Sequence, residues 1–196
     1  ATESSGVPED WSAAPHRPGI ALLPEPGAAA AEELASRVAA HRRDGDLVIV
    51  SIHWGGNWGY RIPHSHREFA HRLIDLRGAD LVHGHSSHHP LPAEVHRGRL
   101  ILYGCGDLIN DYEGIGEHDG LRSDIGCLWF ATLARGTGAL RGLRIVPLQL
   151  RRLRLGPADP QARRWLEELL TREGRGFGMR LRGEPDGGWV LAPWRP

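Results

Sequence analysis

Apolar positions change period several times along the chain, and each change predicts an element. From residue 28 to about residue 44 strong helix formers predominate, with Leu34 and Val38 four apart, Glu32 and Glu33 early where the helix dipole favours acids, and Gly45 as the stop. Residues 46–52 (D-L-V-I-V-S-I) are then a nearly continuous apolar, β-branched run, the pattern of a strand buried on both faces. Helical spacing returns at Phe69, Leu73 and Leu76, behind a capping box of Ser65 and Glu68 and ahead of a stop at Gly78. Residues 79–82 read as a short strand. This alternation of helix and strand predicts an α/β sheet, whose ligands gather beyond the carboxyl ends of its strands.

The remainder is richer in strands. Residues 94–97 and 99–103 around Gly98 predict a hairpin, and 128–133 and 143–155 are further strand-like runs. Trp165, Leu166, Leu169 and Leu170 mark a helix over about 161–172, and the Asp186-Gly-Gly188 turn predicts a hairpin between 179–181 and 189–191. Residues 1–27, rich in Pro, Gly and Ser, read as an irregular linker with Trp11 its one large apolar anchor.

At 196 residues, 40% hydrophobic and 24% charged, the chain has the length and composition of one globular domain. Its formal net charge is zero, every Lys or Arg position is arginine, and no basic block interleaved with aromatics speaks for nucleic acid. No apolar run approaches the roughly 20 residues of a membrane span. No leader-like segment stands at Ala1, which says little, and the compartment is left unassigned with the cytoplasm slightly favoured. Cys105 and Cys127 suggest neither a disulfide framework nor a thiolate metal site, and free, buried thiols are expected.

Histidine is what composition adds. Nine of the twelve lie between His53 and His96, and V-H-G-H-S-S-H-H-P gathers His83, His85, His88 and His89 within seven residues. A lone histidine is more often a surface or core residue, and a cluster is also compatible with a pH sensor. Imidazole is, however, the commonest nitrogen ligand of transition metals. Three loops begin where an apolar strand gives way to glycine, namely 51–59 (S-I-H-W-G-G-N-W-G), 82–90, and 103–114 (Y-G-C-G-D-L-I-N-D-Y-E-G). Glycine there lets the backbone approach a metal or substrate closely.

In this order the loops resemble the second half of the CapA family, poly-gamma-glutamate capsule-biosynthesis proteins with the calcineurin-like metallo-dependent phosphatase fold. The resemblance covers about residues 2–146. Ser51, His53, Trp54 and Gly55 match one family loop, Gly78 through His85 a strand and loop, and Tyr103, Gly106 and Asp107 a third motif. It implies an α/β fold, with 28–196 the carboxyl-terminal part of a layered α/β/β/α sandwich. It also implies His53, His85 and His88 as metal ligands, and two divalent ions, of manganese, iron, cobalt or zinc, in the complete protein. The chain departs from the pattern at Ser86, where many relatives carry a further histidine, at Asp107, where many have asparagine, and in the spacing of His85 and His88. The family's earlier motifs have no counterpart before Ala1. The expectation is therefore that 1–27 continues from an amino-terminal half needed to complete the site.

The resemblance implies hydrolysis of a phosphoester or of an amide such as poly-gamma-glutamate by metal-activated water. Peptide Cα epimerisation, as in lasso-peptide biosynthesis, is the alternative, and a non-catalytic biosynthetic scaffold is a third. His83, His89 and Asp107 are the candidate acid/base groups. Trp54, Asn57, Trp58, Tyr60 and Asp111 are candidates to line a groove for a peptide or polyglutamate-like substrate.

Overall fold

The computed structural model describes residues 1–23, 25–110 and 120–192. Among these residues it is a mixed α/β arrangement of two sheets and three α-helices. The first sheet contains β1 (Ile49–His53), β2 (Leu81–His85), β3 (Ala93–His96) and β4 (Arg99–Leu102) in the order β1-β2-β4-β3. β1, β2 and β4 run parallel, and β3 closes the far edge antiparallel to β4. The register sets Ser51 beside His83 and His53 beside His85.

Helices α1 (Ala28–Ala39) and α2 (His64–Asp75) cover one face of this sheet. Ala31, Ala35, Phe69 and Leu73 pack there against Ile52, Val82, Ile101 and Tyr103. Because strand side chains alternate, Ile49, Ser51 and His53 share the opposite face with His83 and His85. Leu81, Leu100 and Leu102 on that opposite face join a second apolar cluster. It is completed by the antiparallel sheet of β5 (Ile125–Leu133), β6 (Leu140–Arg151), β7 (Arg154–Pro157), β8 (Leu181–Gly183) and β9 (Trp189–Leu191), and by α3 (Pro160–Gly174).

Polar ties lock the end of the molecule remote from the histidines. Asp80, 3% exposed, accepts from Arg42 at 2.6 Å and from the Val48 N–H at 2.9 Å, and Arg99 lies 3.6 Å away. Gly138, in the β5–β6 turn with φ +66°, approaches Asp80 so closely that a Cβ would collide with its carboxylate. The Leu140 N–H also donates to the Gly98 carbonyl at 2.8 Å, which ties the second sheet to the β3–β4 turn.

Several elements differ from expectation. The first helix ends at Ala39, and α2 begins after Pro63 with no side-chain cap, so Ser65 and Glu68 form no capping box. Leu76 lies beyond α2 and is 38% exposed. The run 143–155 is split, because Arg152 and Leu153 adopt φ of 52° and 57° and turn β6 back into β7. Trp11 is no anchor at 58% exposed, whereas Thr2 is fully buried and donates its N–H to the His53 carbonyl at 2.9 Å. The strand expected to be buried on both faces is an edge strand, with Ile49 59% exposed.

Candidate functional site

β1 and β2 end in step, and their parallel register delivers His53 and His85 side by side, with ring centroids 5.2 Å apart. His83, two residues earlier on the same face, stands 5.2 Å from His85 and has its Nδ1 2.9 Å from the Ser51 hydroxyl. Burial lowers the proton affinity of all three rings, and at His85 the neighbouring His83 and His53 lower it further. Neutral imidazole is the form that binds metal. His85 Nδ1 is buried without a hydrogen-bond partner among the described residues.

The second constellation centres on His88. Its Nδ1 lies 2.8 Å from Asp107 Oδ2, an oxygen that also accepts from the Asn110 amide at 2.7 Å. The carboxylate orients the ring. Trp58 leans over His88, with centroids 5.2 Å apart, and the Asn57 carbonyl accepts from the His88 N–H at 3.0 Å. Asn57 is exposed and Trp58 half-buried, at the rim of the loops.

The other expected site residues lie deeper. Trp54 is 3% exposed, donates its indole N–H to the Tyr103 carbonyl at 3.0 Å and stacks on His66. His89 is fully buried, and its Nε2 accepts the Gly59 N–H at 3.1 Å, which requires the neutral ring. Tyr60 packs edge-on against His89 at 4.6 Å, and burial pushes its phenol up to about 12. Asp111 lies outside the described residues.

Two features escaped sequence reasoning. Ser86 holds a φ of 142°, a region that side chains rarely occupy, while its hydroxyl donates to the Gly55 carbonyl at 2.9 Å and so ties the first two loops together. The sequence marks Ser86 as a departure from the family motif, but nothing in it announces the tie to Gly55. Glu94, 8% exposed, accepts from the Tyr103 hydroxyl at 2.6 Å and from Arg67 at 2.9 Å, with His71 Nε2 at 3.0 Å. No local motif marks that network, since its members come from α2, β3 and the end of β4.

The donor set fits part of a metal cage. His53 and His85 are paired neutral imidazoles, but among the described residues no three His, Cys, Asp or Glu side chains are grouped closely enough to hold an ion. His88 therefore does not complete a triad with them within this chain.

A family model described as bacterial capsule synthesis protein PGA_cap matches residues 1–112. The chain belongs to this family. Among PGA_cap relatives, it is 48% identical over 187 residues to a protein described, in two strains of Mycobacterium tuberculosis, as a probable polyglutamine synthesis accessory protein. That match covers 95% of this chain and 49% of the relative, so the chain spans about half the length of these curated relatives. The PGA biosynthesis protein CapA of Bacillus subtilis is 31% identical over 74 residues, 38% of this chain and 19% of its own.

Proposed function

We propose that this chain supplies His53 and His85 as two nitrogen ligands of a divalent ion, manganese, iron, cobalt or zinc, in a metallophosphoesterase-like sandwich that serves poly-gamma-glutamate capsule biosynthesis. The reaction is hydrolysis of a phosphoester or amide. One observation carries the reading: the two rings end adjacent parallel strands in register, 5.2 Å apart. When bound, such an ion supplies Lewis acidity, which acidifies water and polarises a phosphoryl or carbonyl oxygen. The remaining ligands, and those of a second ion, come from outside the described residues.

The chain's other residues divide the work. His88, oriented by Asp107, carries a proton at Nε2 to or from the reacting group. His83, steadied by Ser51, lies behind His85 and reinforces its neutral state. Asn57 and Trp58 flank the approach and bind a peptide or polyglutamate-like substrate. His89 and Trp54 hold the loops in place from within the core.

Metal content and hydrolysis, measured on the full-length Mycobacterium tuberculosis relative, test this. Alanine at the positions aligned with His53 and His85 is expected to remove metal and turnover together, by at least about a hundredfold in rate. A second reading, a non-catalytic accessory role, draws on the lack of a three-ligand group among the described residues. It predicts no hydrolysis to lose. In deuterated water, label uptake at a peptide Cα without cleavage would replace hydrolysis by epimerisation at the same site.

A further inference from the structure

Two histidines outside the candidate site, His71 of α2 and His96 of β3, lie face to face, with ring centroids 3.9 Å apart and planes 7° from parallel. Each meets a carboxylate carried by the other's element. His71 Nε2 stands 3.0 Å from Glu94 of β3, and His96 Nε2 lies 2.8 Å from Asp75 of α2. The four side chains thus cross-brace the helix and the edge strand. Both carboxylates are already matched by arginine: Arg67 donates to Glu94 at 2.9 Å, and Arg97 Nε stands 3.0 Å from Asp75. The Tyr103 hydroxyl reaches Glu94 from the end of β4. His64, Glu68 and Arg72 share the outer groove of α2 with His71; Arg72 is engaged by Glu32, and Glu68 is exposed to water, where its charge is screened. With neutral rings, two acids therefore balance two guanidiniums. Two protons would place like charges in a stack at 3.9 Å, within a cluster whose acids are already spoken for. Burial lowers the proton affinity of His71; the Glu94 carboxylate works against this, and the His96 ring adds to it.

We propose that His71 and His96 form an acid-released latch: stacked while neutral, they hold α2 to β3, and double protonation parts them and frees the carboxyl-terminal half of the helix. The unfolded chain takes up protons at histidine near pH 6.5, so the latch contributes in full above that pH and is lost as pH falls below it. Its position gives it reach. His66 and Phe69 on the same helix pack on Trp54, with centroids 4.5 and 6.1 Å away, and Trp54 follows His53. Release of α2 withdraws packing from loop 51–59. The latch operates whether or not a metal binds at that loop.

Residue-resolved amide hydrogen exchange of this chain, corrected for the intrinsic effect of pH, tests it. Between pH 7 and pH 5 the amides of residues 70–76 are expected to lose about tenfold or more of their protection, while those of α3 change less than about threefold. In His96→Gln, which keeps a side-chain N–H for Asp75 but cannot be protonated, the loss in residues 70–76 is expected to fall below about threefold. His66 is common to both chains and stays neutral to about pH 4, outside this window. NMR titration of the His71 ring gives a second measure: its midpoint is expected to rise in His96→Gln, because a neighbouring positive charge is gone. Unchanged protection of α2 in the parent at pH 5 would overturn the latch, and so would α2 and α3 opening together, which is global unfolding. The same acid loss in His96→Gln, or an unmoved His71 midpoint, would overturn it as well.

Discussion

His66 shows what burial does to a single titratable side chain. It sits at 6% exposure, stacked on Trp54 with centroids 4.5 Å apart and with its ring edge where a Cβ on Gly55 would fall. Burial pushes its pKa down to about 4, from an ordinary value of 6.5. The folded state thus holds the ring neutral while the unfolded chain takes up a proton below pH 6.5, so the stability is complete above 6.5 and drains away as pH falls toward 4. The loss is on the order of 3 kcal/mol. Urea unfolding of His66→Phe across pH 4–7 is expected to show a shallower acid slope than the parent, and equal slopes would refute the assignment. At this scale the sequence was partly legible. The histidines at strand ends stood out because they follow apolar runs, but nothing local separates His53, at the surface of the site, from His66 or His89, sealed in the core.

Glu94 joins elements rather than residues. Burial opposes its ionisation, yet hydrogen bonds from Tyr103 and Arg67 outweigh that cost and hold its carboxyl below the usual range. It thereby fastens α2 to β3 and to the residue that follows β4. Glu94→Ala strands a buried hydroxyl and leaves a part-exposed guanidinium to water, and is expected to cost about 2–3 kcal/mol in urea unfolding. Tyr103→Phe removes one partner and costs less, about 1–2 kcal/mol. The β6–β7 turn offers the opposite sign. Arg152 and Leu153 both hold left-handed φ, which asparagine and glycine adopt more readily. Replacing the pair with Asn-Gly is expected to raise stability by about 1 kcal/mol, read as a higher thermal midpoint. That turn was invisible in the sequence because the apolar alternation runs through it without a Gly, Asn or Pro, whereas the Asp186-Gly-Gly188 turn announced itself.

Across the whole molecule, the parallel strands and the helices over them follow from local periodicity, and so they were readable in advance. The relation between the sheets was not. It depends on contacts such as Asp80 with Arg42 and Gly138, which lie 38 residues apart in the first case and come together only on folding. The same limit applies to the site. Register makes His53 and His85 neighbours, but whether His88 joins them is decided by the path of loop 82–90, which no pattern encodes. The exposed flank of β1 was likewise unreadable, because its apolar run is indistinguishable from that of a covered strand.

Cys105 and Cys127 are both unpaired, and burial pushes the Cys105 thiol up to about 12 and the Cys127 thiol higher still. Near neutral pH, Cys105 then presents roughly a thousandfold less thiolate than an ordinary cysteine. Two dormant sulfurs beside the loops amount to an internal stopwatch. Mixed with a disulfide reagent, buried Cys127 is expected to be modified only as fast as the packing around it opens, and half-buried Cys105 slowly for want of thiolate. Prompt modification of Cys105 alone would reveal a breathing motion next to the Asp107 loop while the rest of the interior remains shut.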